Sequence, residues 1–133
     1  MKPPKKIKKQ SERGRLRAEI GKLQFDYLVR KRGAICELSN QPANGLGRFH
    51  ILSVGAHPRL EFCEENILLV NWLPHHYNWH HSFEKAKEIE KLIMKLRGIN
   101  YKYRLYALER LQQKQSMFYL RTLKTFFEQE KTK

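Results

Sequence analysis

Residues 45–81 read GLGRFHILSVGAHPRLEFCEENILLVNWLPHHYNWHH and hold all six histidines of the chain. Histidine exchanges a proton near neutral pH more readily than other side chains, and it is the commonest metal ligand in proteins. So dense a group of imidazoles, with Asn66 in its middle, indicates a chemical centre. The sequence on either side is interpreted as structural support for that centre.

The region leading into this centre has the composition of short strands and loops. The apolar runs AICEL at 34–38 and RFHIL at 48–52 predict two strands, and the turn formers between them predict an antiparallel hairpin. His50 lies on the second strand. After a loop that contains glycine and proline, the run ILLVNWL at 67–73 predicts a buried strand or an extended segment.

The second half of the stretch predicts a helix. Pro74 suits a first helical turn, where its missing N–H costs no hydrogen bond, and no helix breaker follows before Gly98. We therefore expect one continuous helix that ends at Gly98. His76 and His80 are four residues apart, a spacing that brings both imidazoles to the same helix face.

Both flanks of the centre predict further helices. Apolar residues at steps of three and four indicate a helix over residues 12–31, with Ser11 as its N-cap and Gly33 as its end. A second helix is expected over residues 100–128. At roughly 1.5 Å per residue it would be about 40 Å long, too long to pack wholly on so small a body. This length makes a homodimer through the C-terminal helix the candidate arrangement.

The charge balance favours a polyanionic partner. Lys and Arg number 27 against 13 Asp and Glu, a formal net charge of +14, which exceeds what solubility requires. Nucleic acid is the first candidate, and an anionic membrane surface is the rival. The sequence lacks an apolar run of membrane-spanning length and a signal peptide, so we expect a cytoplasmic protein. The basic motif PPKKIKK leaves a nuclear location open.

The length of 133 residues fits one domain. Residues 1–10 are rich in lysine and proline and predict a flexible basic arm, whereas residues 11–133 predict a single domain. We expect DNA contacts from basic residues of the first helix and from two that flank the histidine centre. These are Arg13, Arg15, Arg17, Arg30, Lys31, Arg32, Arg48 and Arg59.

The order of the histidines suggests how they divide the chemistry. A strand-borne imidazole that faces a helix with two imidazoles can act beside a shared metal ion. The ion stabilises negative charge on a phosphate, while a neutral histidine removes a proton from water. His50 is therefore the candidate base, and His76 and His80 are the candidate metal ligands, with His75 as an alternative ligand.

The remaining rings of the stretch receive structural interpretations. Trp72, Tyr77 and Trp79 are expected to form core around the helix rather than platforms on which bases stack. His57 and His81 are interpreted as loop and surface residues.

A histidine after a hydrophobic strand, then an asparagine, then a histidine at a helix start resemble the motif of the HNH, or ββα-metal, nucleases. The resemblance implies an α+β fold whose ββα-metal core has a β-hairpin and a metal-bearing helix, flanked by an N-terminal helix and a long C-terminal helix. It implies that His50 is the base and that Asn66 orients the loop and the base. Phe49 stands where many members have a metal ligand, so that ligand must come from His80, another side chain or water.

The segment FHILSVGAHPRLEFCEENILL at 49–69 is also similar to the Rap or NinG recombination endonucleases of phages. This similarity implies a Mg²⁺-dependent endonuclease of branched DNA, such as D-loops and Holliday junctions, in a bacterial or phage-infected cell. Imidazole ligands also suit Mn²⁺, Zn²⁺ or Ni²⁺. Two other classes stay open: a non-catalytic nucleic-acid-binding module, and a sequence-specific HNH nuclease of the restriction or homing type.

The cysteines bear on a structural zinc site. Cys36 and Cys63 could form at most one bridge, and free thiols are expected in a reducing compartment. Many of the similar nucleases carry two CxxC pairs, but here Ser39, Asn71 and Pro74 occupy three of those four places. A structural site with four cysteines is therefore excluded. A mixed site that uses Cys36 and Cys63 stays open.

Overall fold

The structure is a computed structural model that describes residues 10–133, apart from the side chain of Pro74. The described part is α+β, with a two-stranded antiparallel sheet among helices, and within it no helix is long and apolar enough to cross a membrane. The predicted basic arm at 1–10 lies almost wholly outside the described residues. In chain order the elements are α1 (Glu12–Arg32), β1 (Leu46–His50), β2 (Ile67–Asn71), α2 (Tyr77–His81), α3 (Phe83–Arg97), α4 (Tyr101–Leu111) and α5 (Met117–Lys131).

The N-terminal helix has the predicted cap and the predicted end. The Ser11 Oγ accepts a hydrogen bond from the Gly14 N–H at 3.0 Å, which satisfies one of the free donors of the first turn. Gly33 ends the helix at φ 93°, a left-handed conformation that favours glycine. The Gly33 N–H donates to the Val29 carbonyl and closes the last turn. The prediction of this helix is confirmed.

The sheet pairs two strands that are separated by a loop of the histidine-rich stretch. Leu46 lies opposite Asn71, and His50 lies opposite Ile67. The extended segment predicted at 67–73 is therefore confirmed as a buried strand over most of its length. Two 3₁₀ turns, in the loop between the strands, shorten the path from one strand to the next.

The expected pairing of residues 34–38 with residues 48–52 is wrong. Residues 34–38 form no strand but cover the free edge of β2. The Glu37 N–H donates to the Leu69 carbonyl at 2.7 Å, and the Leu69 N–H donates to the Glu37 carboxylate. The Glu37 carboxylate accepts the hydrogen bond that a main-chain carbonyl of a third strand would otherwise accept. The edge of β2 is therefore satisfied without a third strand.

Both faces of the sheet bury apolar residues against helices. On one face, Phe49 and Leu68 belong to the main core, together with Ile93 of α3. On the other face, Leu69 packs against Leu28 of α1. The two-stranded sheet therefore lies between α1 and α3, and the end of β1 leads directly into the loop between the strands.

The expected continuous helix over 74–98 is wrong, although its predicted end at Gly98 is confirmed. Leu73 keeps an extended conformation (φ −112°, ψ 141°), and the chain becomes helical only after it. Ser82 is also extended (φ −136°, ψ 112°), and its Oγ accepts a hydrogen bond from the Lys85 N–H at 3.3 Å. A serine in this conformation starts a new helix, so the short α2 is separated from α3.

The expected long helix over 100–128 is also wrong. The chain breaks between α4 and α5, where the Ser116 Oγ accepts a hydrogen bond from the Tyr119 N–H at 3.1 Å and caps α5. The break lets α5 fold back on α1, with the ring of Phe127 5.4 Å from that of Tyr27. The candidate homodimer rested on the length of a single helix, and it loses that basis.

Candidate active site

His50 ends β1, and its ring is half-buried against the loop that follows. The ring Nε2 lies 2.8 Å from the main-chain carbonyl oxygen of Glu61. A carbonyl oxygen can only accept a hydrogen bond, so Nε2 carries the proton and donates it. The neutral ring therefore keeps its lone pair on Nδ1, as a general base requires.

The surroundings of His50 favour its neutral form. Burial is the main cause that lowers the pKa of His50 below its ordinary value, and the nearby Arg48 and His76 lower this pKa further. The hydrogen bond to the Glu61 carbonyl and the charge of the Glu61 carboxylate act in the opposite direction. Because the net shift is downward, His50 is neutral at neutral pH and can accept a proton.

Asn66 is fully buried where the loop returns to β2. Its Oδ1 accepts a hydrogen bond from the Leu52 N–H at 2.8 Å. Its Nδ2 donates to the carbonyl oxygens of Leu52 at 3.0 Å and of Leu60 at 3.4 Å. One side chain thus ties the beginning of the loop to its end, which holds the neighbouring Glu61 carbonyl against His50.

The buried carboxylate of Glu61 also anchors the loop between β1 and β2. Both oxygens of Glu61 accept hydrogen bonds from Arg17 of α1, at 2.8 and 2.9 Å. The Gln115 Nε2 donates to the Glu61 carboxylate and to the Pro58 carbonyl, each at 3.0 Å. The sequence interpretation missed this role of Glu61 because its partners are 44 and 54 residues away, and no local pattern joins them.

Replacing Arg17 with alanine is expected to lower the free energy of unfolding by about 2 kcal/mol, because the buried Glu61 carboxylate loses its bidentate partner. Urea denaturation at pH 7 measures this change. Arg13→Ala, at an exposed position of the same helix, is the matched control, and we expect a change below about 0.5 kcal/mol. Equal effects of the two substitutions would contradict the structural role of Arg17.

The two candidate ligands, His76 directly before α2 and His80 within it, lie next to each other. The ring centroids of His76 and His80 are 5.3 Å apart, as their four-residue spacing predicts. His76 also meets Phe49 edge-on at 5.7 Å and contacts Trp72 at 5.2 Å. Burial and the neighbouring His80 lower the pKa of His76, so its ring is neutral and its lone pair is available at neutral pH.

This geometry fits a metal ion with two protein ligands. Two imidazole nitrogens that share a divalent ion at about 2.1 Å place their ring centroids roughly 5 Å apart, close to the 5.3 Å between His76 and His80. Phe49 supplies no lone pair. Within residues 10–133, no three His, Cys, Asp or Glu side chains are grouped as metal ligands. Oxygen atoms of phosphate and water would have to complete the coordination.

His75, the alternative ligand, lies elsewhere. It is buried against α3, where it lines a groove together with Lys85 and Glu88. Its Nε2 has no hydrogen-bond partner in the described part of the chain, and burial lowers the pKa of the ring. The structure therefore brings His76 and His80 together, leaves His50 against the Glu61 carbonyl, and places His75 on the α3 side.

The two other histidines have separate surroundings. The Nδ1 of His57 lies 2.9 Å from a carboxylate oxygen of Glu109, a contact that ties the loop between the strands to α4. His81 is exposed and stacks on Tyr77 at 4.3 Å. Their interpretation as loop and surface residues agrees with these positions.

The expectation that Trp72, Tyr77 and Trp79 are all core is wrong in part. Trp79 packs on the main core, with its ring 5.2 Å from that of Phe49. Trp72 and Tyr77 are instead 49% and 41% exposed. The extended Leu73 interrupts the helix, so the helical spacing that would bury Trp72 does not apply.

Two basic residues expected to contact DNA are held inside the protein. Arg32 is half-buried and donates to the Glu37 carboxylate and to the Ile67 carbonyl, at 3.0 and 2.7 Å. Arg48 is half-buried too, and its guanidinium donates to the Gln24 side chain at 2.9 Å. These contacts give both guanidinium groups a structural role in the described part of the chain.

The other basic residues of this set, except Arg17, are exposed. Lys31 forms an ion pair with Glu64 at 2.9 Å, and Arg30 donates to the Glu130 carbonyl at 3.1 Å. The exposed members of the set are Arg13, Arg15, Arg30, Lys31 and Arg59.

Both cysteines are buried free thiols. The Cys36 Sγ accepts a hydrogen bond from the Asn71 N–H at 3.4 Å. The Cys63 Sγ donates to the Glu65 carboxylate at 3.2 Å, and burial is the main cause that raises the pKa of Cys63 to about 11. A protonated Cys63 disfavours the mixed metal site, because metals bind the thiolate.

Comparison with models of protein families, with curated proteins and with solved structures finds no match for this chain. The function is therefore inferred from the geometry of the site and from the resemblance of its motif.

Proposed function

We propose that the protein is a metal-dependent endonuclease that hydrolyses DNA phosphodiester bonds on a ββα-metal core. One observation carries the proposal: His50 ends β1 with Nε2 committed to the Glu61 carbonyl, which leaves Nδ1 as the nitrogen that can act as a base. His76 and His80 form a pair on the turn and helix that follow β2. The candidate base thus comes from β1, and the two candidate ligands come from the segment after β2.

In the proposed reaction, the Nδ1 of His50 takes a proton from water while the water oxygen attacks phosphorus. The new P–O bond forms, the bond from phosphorus to the 3′-oxygen breaks, and that oxygen takes a proton from solvent. The resulting imidazolium stays in place because its Nε2–H donates to the Glu61 carbonyl. The products carry 5′-phosphate and 3′-hydroxyl ends, as the family resemblance implies.

His76 and His80 would hold the divalent ion. Mg²⁺ is expected, and Mn²⁺, Zn²⁺ or Ni²⁺ also suit imidazole ligands. When bound, the ion offsets negative charge on the phosphate and on the departing oxygen. The chain's own part is to present imidazole nitrogens, and contacts with Phe49 and Trp72 fix the orientation of His76 for this task.

Positive charge supports DNA as the substrate. The net charge of +14 would attract a polyanion, and Arg13, Arg15 and Arg59 are exposed, so they can contact phosphates. Contacts of this kind carry no sequence information and weaken as salt rises. These phosphate contacts would supply affinity for DNA in general, whereas selection among DNA substrates needs contacts of another kind.

The proposed substrates are branched recombination intermediates, on the strength of the resemblance to the Rap or NinG enzymes. The test is cleavage of labelled Holliday-junction, D-loop, flap and linear duplex DNA, each with Mg²⁺ and with excess chelator. We expect chelator-sensitive cutting that favours branched DNA. Cutting at one sequence in linear duplex would identify the restriction or homing type, and no cutting with any divalent metal would overturn the nuclease proposal.

A second candidate is a non-catalytic nucleic-acid-binding module. Phe49 favours it, because this apolar ring lies beside His76 where the resembling nucleases have a ligand. Such a module would bind DNA with a strong salt dependence and would cut none of the substrates above. The cleavage panel therefore separates the two candidates.

The cleavage rate is expected to fall at acidic pH, with the midpoint below 6.5. Protonated His50 cannot accept a proton, and burial places its pKa below the ordinary value of 6.5. Arg48→Gln removes a positive charge that lowers this pKa, so we expect the midpoint to move upward. The measurement is kcat/KM against pH at saturating metal, with circular dichroism at each pH as the folding control. A wild-type midpoint above 6.5, or a downward shift in the variant, would contradict this assignment.

A further inference from the structure

Aromatic rings beside the candidate active site are exposed and touch one another. The rings of Trp72 and Tyr77 meet edge to face with centroids 6.0 Å apart. Tyr77 then stacks on His81, with 29° between the ring planes. We call these three side chains the stacking surface. Exposed aromatic area is unfavourable in water, so the surface suits a partner with flat apolar faces.

Contacts on several sides hold Trp72 in place. Its main-chain N–H donates to the Gly45 carbonyl at 2.9 Å. Gly45 has φ 67°, and a Cβ at this position would come within 3.1 Å of the Trp72 Cβ, so the close approach requires glycine. His76 packs against the indole on another side. A ring that is already ordered loses little entropy when it binds a partner.

The stacking surface adjoins a candidate metal ligand and a groove between α1 and β1. Trp72 contacts His76 directly, as described above. This groove of about 480 Å³ is lined by Lys22, Asp26 and Arg48, and also by the strand residues that directly follow Gly45. Because Gly45 contacts Trp72, the groove lies next to the stacking surface.

We propose that the stacking surface binds an unpaired base of the DNA next to the bond that is cut. This inference rests on the proposed nuclease function and adds a determinant of substrate choice to it. Every base has a flat face that an aromatic ring can stack on, but only an unpaired base can leave its helix to do so. The net charge of +14 matches a nucleic acid better than an apolar peptide. Trp72 is expected to contribute most, because it has the largest exposed ring system.

The test measures affinity in a His50→Ala background, in which cutting of the probe is expected to be much slower. Two labelled probes share one sequence: a duplex with a short single-stranded gap, and the fully paired duplex. Trp72→Ala is expected to weaken binding to the gapped probe about tenfold and to leave binding to the paired probe within about twofold. Trp72→Phe keeps a ring and is expected to recover most of the loss. Phe118→Ala removes an exposed ring on α5 and is the matched control.

A second measurement does not depend on the Trp72→Ala variant. Indole fluorescence of the His50→Ala protein is expected to be quenched by the gapped probe, and this quenching should disappear with Trp72→Phe although Trp79 remains. Equal loss of affinity for both probes, or quenching that survives in Trp72→Phe, would overturn the stacking surface. Binding of an apolar peptide but of neither DNA probe would point to a protein partner and would overturn it too.

The failure of this inference can be distinguished from the failure of the proposed function. If wild type cuts DNA and Trp72→Ala shows no selective loss of binding, the stacking surface is wrong and the nuclease stands. If wild type cuts nothing and the selective loss occurs, catalysis is wrong and the surface serves a binding module.

Discussion

Cleavage by a His50→Ala variant is expected to be about 10²- to 10⁴-fold slower than by the wild type, which is the range that a general base contributes. The reason is the single free nitrogen of the ring: Nε2 is committed to the Glu61 carbonyl, so only Nδ1 can take the proton from water. First-order rates on a junction substrate at saturating protein and metal measure the loss. DNA affinity should change by less than about twofold, since phosphate contacts by Lys and Arg provide it.

His57→Gln is the matched control for this variant. His57 lies in the loop between the strands and pairs with Glu109, and neither residue contacts His50 in the arrangement described above. Its cleavage rate should stay within about threefold of wild type, because it contributes no proton transfer. A His50→Ala protein that cuts as fast as the His57→Gln protein would remove His50 from the mechanism.

Asn66→Ala is expected to lower the free energy of unfolding by about 3 kcal/mol. The substitution leaves the buried N–H and carbonyl of Leu52 without their partner, and each unsatisfied group costs about 1–3 kcal/mol. Cleavage should also slow at temperatures where the variant remains folded, because the loop no longer holds the Glu61 carbonyl against His50. Urea denaturation and cleavage rates on the same preparation measure both effects.

Asn44→Ala provides the comparison, because the Asn44 side chain is exposed and its contact with Asn71 uses the main-chain N–H. We expect a change below about 0.5 kcal/mol. If Asn66→Ala were as stable as Asn44→Ala, the loop would not depend on the buried amide. The link from Asn66 through Glu61 to His50 would then have no support.

Local signals in the sequence predicted the features that depend on neighbouring residues. The N-cap at Ser11 and the helix end at Gly33 allowed the bounds of α1 to be predicted, because both signals act within one helical turn. The contact between His76 and His80 followed from their spacing, since a single helical turn brings them together. Such features need no knowledge of the rest of the fold.

Features that depend on distant contacts were missed or wrongly predicted. Ser82 and Ser116 were compatible with helix interiors, and each proved to cap a new helix once tertiary packing turned the chain. Glu37 ended the sheet through a carboxylate, so the expected strand did not form. Glu61 became part of the site through α1 and the segment before α5. Spacing along the sequence contains no signal for any of these contacts.

The central claim is that a base on β1 and two ligands around α2 serve one phosphodiester, and dependence on metal concentration tests the claim most directly. The measurement is the cleavage rate of wild type, His50→Ala and His76→Ala/His80→Ala over a range of Mn²⁺ concentrations. We predict that high Mn²⁺ restores part of the rate of the ligand variant, because its defect lies in metal binding, and restores none of the His50→Ala rate. Identical metal dependence of all three proteins would contradict the account.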